Sequence, residues 1–151
     1  MKQEEGEVFN AIQKLLFSQR LGVLGTFGSG HPYCSLVSFS SGEDLRQIYF
    51  FTTRSTRKFS NIKATGSVSI LVDNRSNREE DLHETEAVTA VGAARVLSGM
   101  EFERASHIHL RKHPYLQDFV SSPSSALLSI EVDNYFLVRR FQNVMTLRFE
   151  K

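Results

Sequence analysis

The chain is 151 residues long, 23% charged and 40% hydrophobic with three prolines, which fits one domain over residues 1–151 better than two marginal ones. Eighteen basic and seventeen acidic residues leave a net charge of +1, too little for the electrostatic footprint of a general nucleic-acid binder. No apolar run is long enough to cross a bilayer, the polar start MKQEEGEVFN is unlike a secretory signal, and the single Cys34 excludes an internal disulfide, so a cytoplasmic location is expected.

The first periodic segment is Glu7 to Gln19, where Val8, Ile12, Leu15 and Leu16 recur at helical spacing. LGVLGTF, from Leu21 to Phe27, predicts a strand that ends at the turn GSGHP. Beyond Pro32 the residues alternate, with Tyr33, Ser35, Val37 and Phe39 on one face and Cys34, Leu36 and Ser38 on the other. The two segments form a β-hairpin. Cys34 is expected to be a small buried hydrophobe, since no base stands beside it. A polar loop from Ser40 to Arg46 leads into IYFFTT, whose aromatic and β-branched residues predict a buried strand.

Thr56 is placed to cap a helix from Arg57 to Ala64, with Phe59 and Ile62 on its apolar face. SVSILVD (Ser67 to Asp73) predicts a strand, DNRSNREEDLHE a polar loop, and Thr85 to Val96 a long alternating strand. Ser98 and Glu101 have capping-box spacing and open a helix through Arg111 that Pro114 stops. A second short helix carries Leu116 and Phe119. The chain closes with ALLSIEVD, a turn or bend at Asp133-Asn134, YFLVRRF, and VMTLRFE after a turn at Gln142-Asn143. Six to seven strands joined mostly by short turns predict a mainly β (α+β) fold: an antiparallel barrel, closed or nearly so, with peripheral helices. A dinucleotide-binding sheet is excluded, because it needs helices of ordinary length between most strands.

No G-x-S-x-G elbow and no G-x-x-x-x-G-K-[ST] loop is present, and GTFGSG falls in a hairpin turn. His109 and His113 are four apart, as ligands on one helix face are. The H-E-x-x-H glutamate is missing, however, and Pro114 ends the helix. His107, His109 and His113 are therefore expected to be solvated or capping, and no metal site is expected. The strongest local signal is TTRSTRK, Thr52 to Lys58. A buried strand there delivers Arg54, Arg57 and Lys58 among hydroxyls and the free N–H groups of a helix start, which together suit a phosphate. The same residues also fit a solvated basic turn.

In order and spacing, the leading helix with LGVLGTFGSGHPYCSLVSF, then IYFFTTRSTRKFSNI, SVSILVDNRSN, VTAVGAARV and YFLVRRFQNV, resembles the pyridoxamine 5′-phosphate oxidase-like, FMN-binding split-barrel family over nearly the whole chain. The resemblance implies that Arg57 and Lys58 bind the FMN phosphate, with Thr56 the hydroxyl before them. Thr52 and Thr53 would lie beside the ribityl chain and phosphate. The backbone of Ser35, Leu36, Val37 and Ser38 would lie along the isoalloxazine ring, and Asn74 and Ser76 would reach the cofactor. A flavin held between two protomers is implied too, hence a homodimer acting on a small-molecule redox substrate, with neither nucleic acid nor membrane as partner.

The chain departs from the oxidases proper at CSLVS, where they carry a phosphate-touching arginine, and at TLRFEK, where they continue into an arginine-bearing segment that grips substrate. The implied function is thus an FMN-dependent oxidoreductase other than a true pyridoxamine phosphate oxidase. Relatives linked to haem utilisation bind haem in the same barrel. That gives the alternative of a haem-binding protein without flavin catalysis, in which His107, His109 or His113 ligates iron. A dimeric binding scaffold without chemistry is the third reading.

Overall fold

A computed structural model describes residues 2–140 and 143–150. Helix α1 (Lys2–Ser18) begins ahead of the expected Glu7 and lays Val8, Ile12, Leu15 and Leu16 into the core. Seven strands follow: β1 (Leu21–Gly28), β2 (His31–Ser41), β3 (Gln47–Thr53), β4 (Ser67–Asp73), β5 (Glu86–Val96), β6 (Ser125–Arg139) and β7 (Asn143–Arg148). Helix α2 (Arg57–Ala64) joins β3 to β4, and a one-turn helix α3 (Asp81–Glu84) sits in the polar loop before β5. Helices α4 (Gly99–Lys112) and α5 (Gln117–Val120) lie between β5 and β6.

The strands run in the order β3-β2-β1-β4-β5-β6-β7, every pair antiparallel. β3 also pairs with β6, from Gln47↔Glu131 to Thr53↔Ser125, so six strands close into a barrel and β7 extends β6 outside it. Closure leaves no free edge between β3 and β6. Leu24, Val37, Phe39, Ile48, Phe50, Ile70, Val88, Leu128 and Ile130 fill the interior. The opposite face of β3 and β6, with Tyr49, Phe51 and Leu127, is covered by α4 and α5 through Ala105 and Val120. IYFFTT is therefore apolar on successive residues because both of its faces are buried.

Several local expectations change. The turn or bend expected at Asp133-Asn134 is a bulge that bends one continuous strand, with no turn: Val91 pairs with Asn134 but Gly92 with Val132, leaving Asp133 as the extra residue. Gly92 is required there, since a Cβ would overlap the Glu131 carbonyl. Ser98 does cap α4, yet its side chain makes no capping bond. Glu101 instead meets Arg95, whose Nε also lies 2.7 Å from Glu131. Cys34 is exposed and not buried, because it pairs with Gly25 on the outward set of β1 and β2. Ser40 and Ser41, expected in a loop, continue β2. Phe141 and Gln142, expected to end a strand and open a turn, lie outside the described residues. No described helix is long and apolar enough to cross a membrane.

Candidate functional site

β2 and β3 pair only through Phe39↔Phe50, Ser40↔Tyr49 and Ser41↔Ile48. Ahead of Phe39 the two strands splay. Leu36, Val37 and Ser38 keep β1 on one side and have no strand on the other, while Phe51, Thr52 and Thr53 keep only β6. The resulting split is a cavity of about 260 Å³, lined by Leu36, Val37, Ser38, Phe51, Thr52, Thr53, Thr56, Lys58, Leu116 and Phe119. An unpaired stretch of strand offers backbone N–H and C=O groups to whatever occupies the gap.

At the polar end, β3 stops where Thr56 N donates to Thr53 O at 3.2 Å and Arg54 N donates to Ser124 O at 2.9 Å. Thr56 takes an extended backbone (φ −82°, ψ 157°) and its Oγ1 accepts from Phe59 N at 3.3 Å, capping α2. The same hydroxyl donates to Thr53 O at 2.9 Å and lies 3.0 Å from Thr52 Oγ1. Thr52 is buried, so this hydroxyl pair ties the last residues of the strand to the first turn of the helix.

Three cations surround that turn. The Arg57 guanidinium stands 5.7 Å over the Tyr33 ring, and that of Arg54 stands 5.8 Å over Phe59. Among the described residues neither they nor Lys58 form an ion pair. Lys58 is half-buried in the cavity wall, and desolvation draws its pKa below the usual lysine range. An anion there would offset that desolvation and draw the pKa back up. Helix N–H groups, hydroxyls and uncompensated cations in one corner suit a phosphate monoester.

The structure thus brings Leu36, Val37, Ser38, Thr52, Thr53, Thr56 and Lys58 to one cavity; Arg57, between Thr56 and Lys58 in sequence, is exposed and outside that lining, its guanidinium over Tyr33. It does not bring Ser35, Asn74 or Ser76 there. Ser35 faces Leu24 across the hairpin, its Oγ buried without a partner. Asn74 Oδ1 accepts from Glu86 N at 2.8 Å, and Ser76 is held by Asp81 through its N–H (2.9 Å) and hydroxyl (2.7 Å). Those bonds hold the Asp81 carboxyl far below its usual range.

Phe51, Leu116 and Phe119 were not singled out by sequence reasoning. Phe51 and Phe119 meet edge to face at 6.3 Å, making an aromatic wall opposite β2.

The expectation of solvated or capping histidines fails for His109 alone: His107 is exposed, and His113 caps the C-terminus of α4, its N–H donating to His109 O at 2.9 Å. His109 and His113 are fully buried beneath α4, and only His107 is exposed. His109 Nδ1 lies 2.8 Å from Ser40 Oγ, its ring 5.2 Å from Phe51 and 4.7 Å from His113. His113 Nε2 donates to Phe39 O at 2.8 Å. Burial, with the charges of His113 and Lys112 beside it, pushes His109 down to about 3, so it is neutral at physiological pH. Phe51 stands between His109 and the cavity. Among the described residues no group of three His, Cys, Asp or Glu side chains is placed to hold a metal ion.

A six-stranded antiparallel barrel, split between β2 and β3 with a basic helix start at the mouth of the split, is the architecture of a split barrel. The chain belongs to the pyridoxamine 5′-phosphate oxidase family, whose model matches residues 9–139.

Among solved structures, a heme binding protein from Mycobacterium smegmatis superposes with a TM-score of 0.83 at 17% identity, over 93% of this chain and 57% of its own. Campylobacter jejuni ChuZ gives 0.81 at 15%, over 95% and 60%. General Stress Protein 26 from Bacillus anthracis gives 0.71 at 19%, over 94% and 98%. The chain therefore spans little more than half the length of the first two, and these likenesses show the fold alone. A comparison with curated proteins gives no match.

Proposed function

We propose that the chain is an FMN-binding flavoprotein that works as an oxidoreductase, with the flavin seated in the split between β2 and β3 of a homodimer. The observation that carries this reading is the convergence of Thr52, Thr53, Thr56 and Lys58 with Leu36–Ser38, unpaired on the β3 side, in one cavity whose cation, Lys58, has no acidic partner among the described residues. Arg57, Lys58 and the start of α2 hold the phosphate. Thr52 and Thr53 line the path of the ribityl chain, and the backbone of Leu36–Ser38 faces the ring. FMN, when bound, supplies redox chemistry that no side chain of this site provides. The protein binds it, orients it and sets the polarity around it.

A cavity of about 260 Å³ is small for a whole flavin and opens at Leu36 onto the outer face of the sheet. Leu36 is 68% exposed there, and Leu21 and Phe27, further along the same outward face on β1, are about half exposed. A second protomer on this apolar face would complete the site and cover the patch.

Similarity to a heme binding protein favours a second reading, haem binding in the same barrel. His109 and His113 would not serve as iron ligands, because both rings are packed under α4. Titrating one preparation with FMN, riboflavin and haemin, followed by absorbance, tests both. Saturable FMN binding that exceeds riboflavin binding supports the flavin reading. A Soret shift with no flavin uptake overturns it.

A further inference from the structure

A second cavity, of about 420 Å³, lies between the C-terminal ends of α1 and α4 and the end of β2. Phe17 of α1 and Ile108 of α4 give it apolar walls; Ser41, Glu43, Arg111 and Lys112 supply its polar atoms. Lys112 Nζ donates to Leu16 O, in the last turn of α1, at 2.8 Å and lies 3.9 Å from the Phe39 ring centroid. An ammonium carries three donors, and among the described residues Leu16 O is the one hydrogen-bond acceptor Lys112 meets. No described carboxylate pairs with it, and desolvation draws it down to about 8. Ser41 Oγ, in the same lining, is buried and has no hydrogen-bond partner.

We propose that this cavity is a ligand site for a small amphipathic monocarboxylate, its charge paired with Lys112, its oxygen accepting from Ser41, and its hydrocarbon against Phe17 and Ile108. The lining carries one acidic residue, Glu43, against two basic ones, Arg111 and Lys112, which leaves one positive charge in excess, and among the described residues no ion pair engages Lys112. A single negative charge balances it; a phosphate dianion would bring excess charge against Glu43 and the apolar walls. A neutral alcohol or amide of the same shape would fill the walls and leave the ammonium unpaired. The proposal does not rest on the flavin reading, since none of these residues lines the cavity beside Thr52.

Hexanoate is the probe, titrated into the full chain and followed by NMR or calorimetry, with hexanamide as the neutral match. The expected result is saturable hexanoate binding, weakened about tenfold or more by Lys112→Met and by the change to hexanamide, as fits loss of a charge-assisted contact. FMN titration should be unaffected by Lys112→Met. Should that variant fail to fold, the wild-type protein decides: hexanoate should protect Lys112 from acetylation by acetic anhydride, read by peptide mass spectrometry. Equal binding of hexanamide, binding indifferent to Lys112→Met, unprotected Lys112, or no saturation at all would each overturn the assignment.

Discussion

The hydroxyls of Thr52 and Thr56 lie 3.0 Å apart, one in the last turn-ward residues of β3 and the other capping α2. This contact locks the helix start against the strand end, so the cap and the proposed phosphate corner are one structure. Thr56→Ala is expected to destabilise the protein by about 1 kcal/mol, the usual cost of a lost N-cap. It should also weaken FMN binding. Urea unfolding and a flavin titration on the same variant measure the two effects, and Thr56→Ser should restore both.

Arg57 and Lys58 have no acidic partner among the described residues to neutralise them. Replacing both by alanine should weaken FMN at least about tenfold, toward the low end for two charge-assisted contacts because Arg57 is solvent-exposed. Riboflavin, which lacks the phosphate, should bind as before. Parallel losses for both ligands would remove the phosphate from this corner.

Leu36 is shared by the proposed cofactor cavity and a further, open cavity on the outer face of β1 and β4. Leu36→Asp would place a charge in the proposed dimer contact without disturbing the barrel interior. Light scattering coupled to size exclusion should then report a monomer, with FMN binding reduced alongside. A dimer that persists unchanged would locate the contact elsewhere.

His109 gives a pH dependence whose sign is set by its burial. The folded protein holds it at about 3, against an ordinary value of 6.5 that the unfolded chain recovers. Between those values the unfolded state binds a proton that the folded state refuses, so stability falls as pH drops from about 6.5 toward 3. One such histidine gives a slope of about 1.4 kcal/mol per pH unit within that window. His113 is also pushed down, chiefly by burial, and adds in the same direction. Denaturant midpoints at pH 4 to 7 should show a shallower slope for His109→Phe than for wild type, whatever its absolute stability.

The barrel was legible because period-two alternation and turn residues are local signals. Thr56 ahead of Arg57–Ala64 marked the cap, and Thr52 to Lys58 marked the phosphate corner, since contiguous residues build both. Phe51 looked like any core aromatic, because nothing local reveals that α5 sets Phe119 against it on the same wall of the split. His109 and His113 read as polar until Ser40 Oγ and Phe39 O, roughly seventy residues earlier in sequence, supplied their partners. Cys34 failed the other way: it stands on a strand whose outer face no described element covers. Long-range partners and uncovered faces are properties of the assembled sheet.

β6 also serves as the seam of the molecule. From Leu128 to Glu131 it is laddered to β3 on one side and β5 on the other, and beyond Asp133 it carries β7. Opening that seam parts the ring and strands the hairpin in one event, whereas unzipping β7 leaves the ring whole. Native-state hydrogen exchange should therefore find its slowest amides around Ser129 and Ile130, in the one stretch where local breathing is indistinguishable from global unfolding.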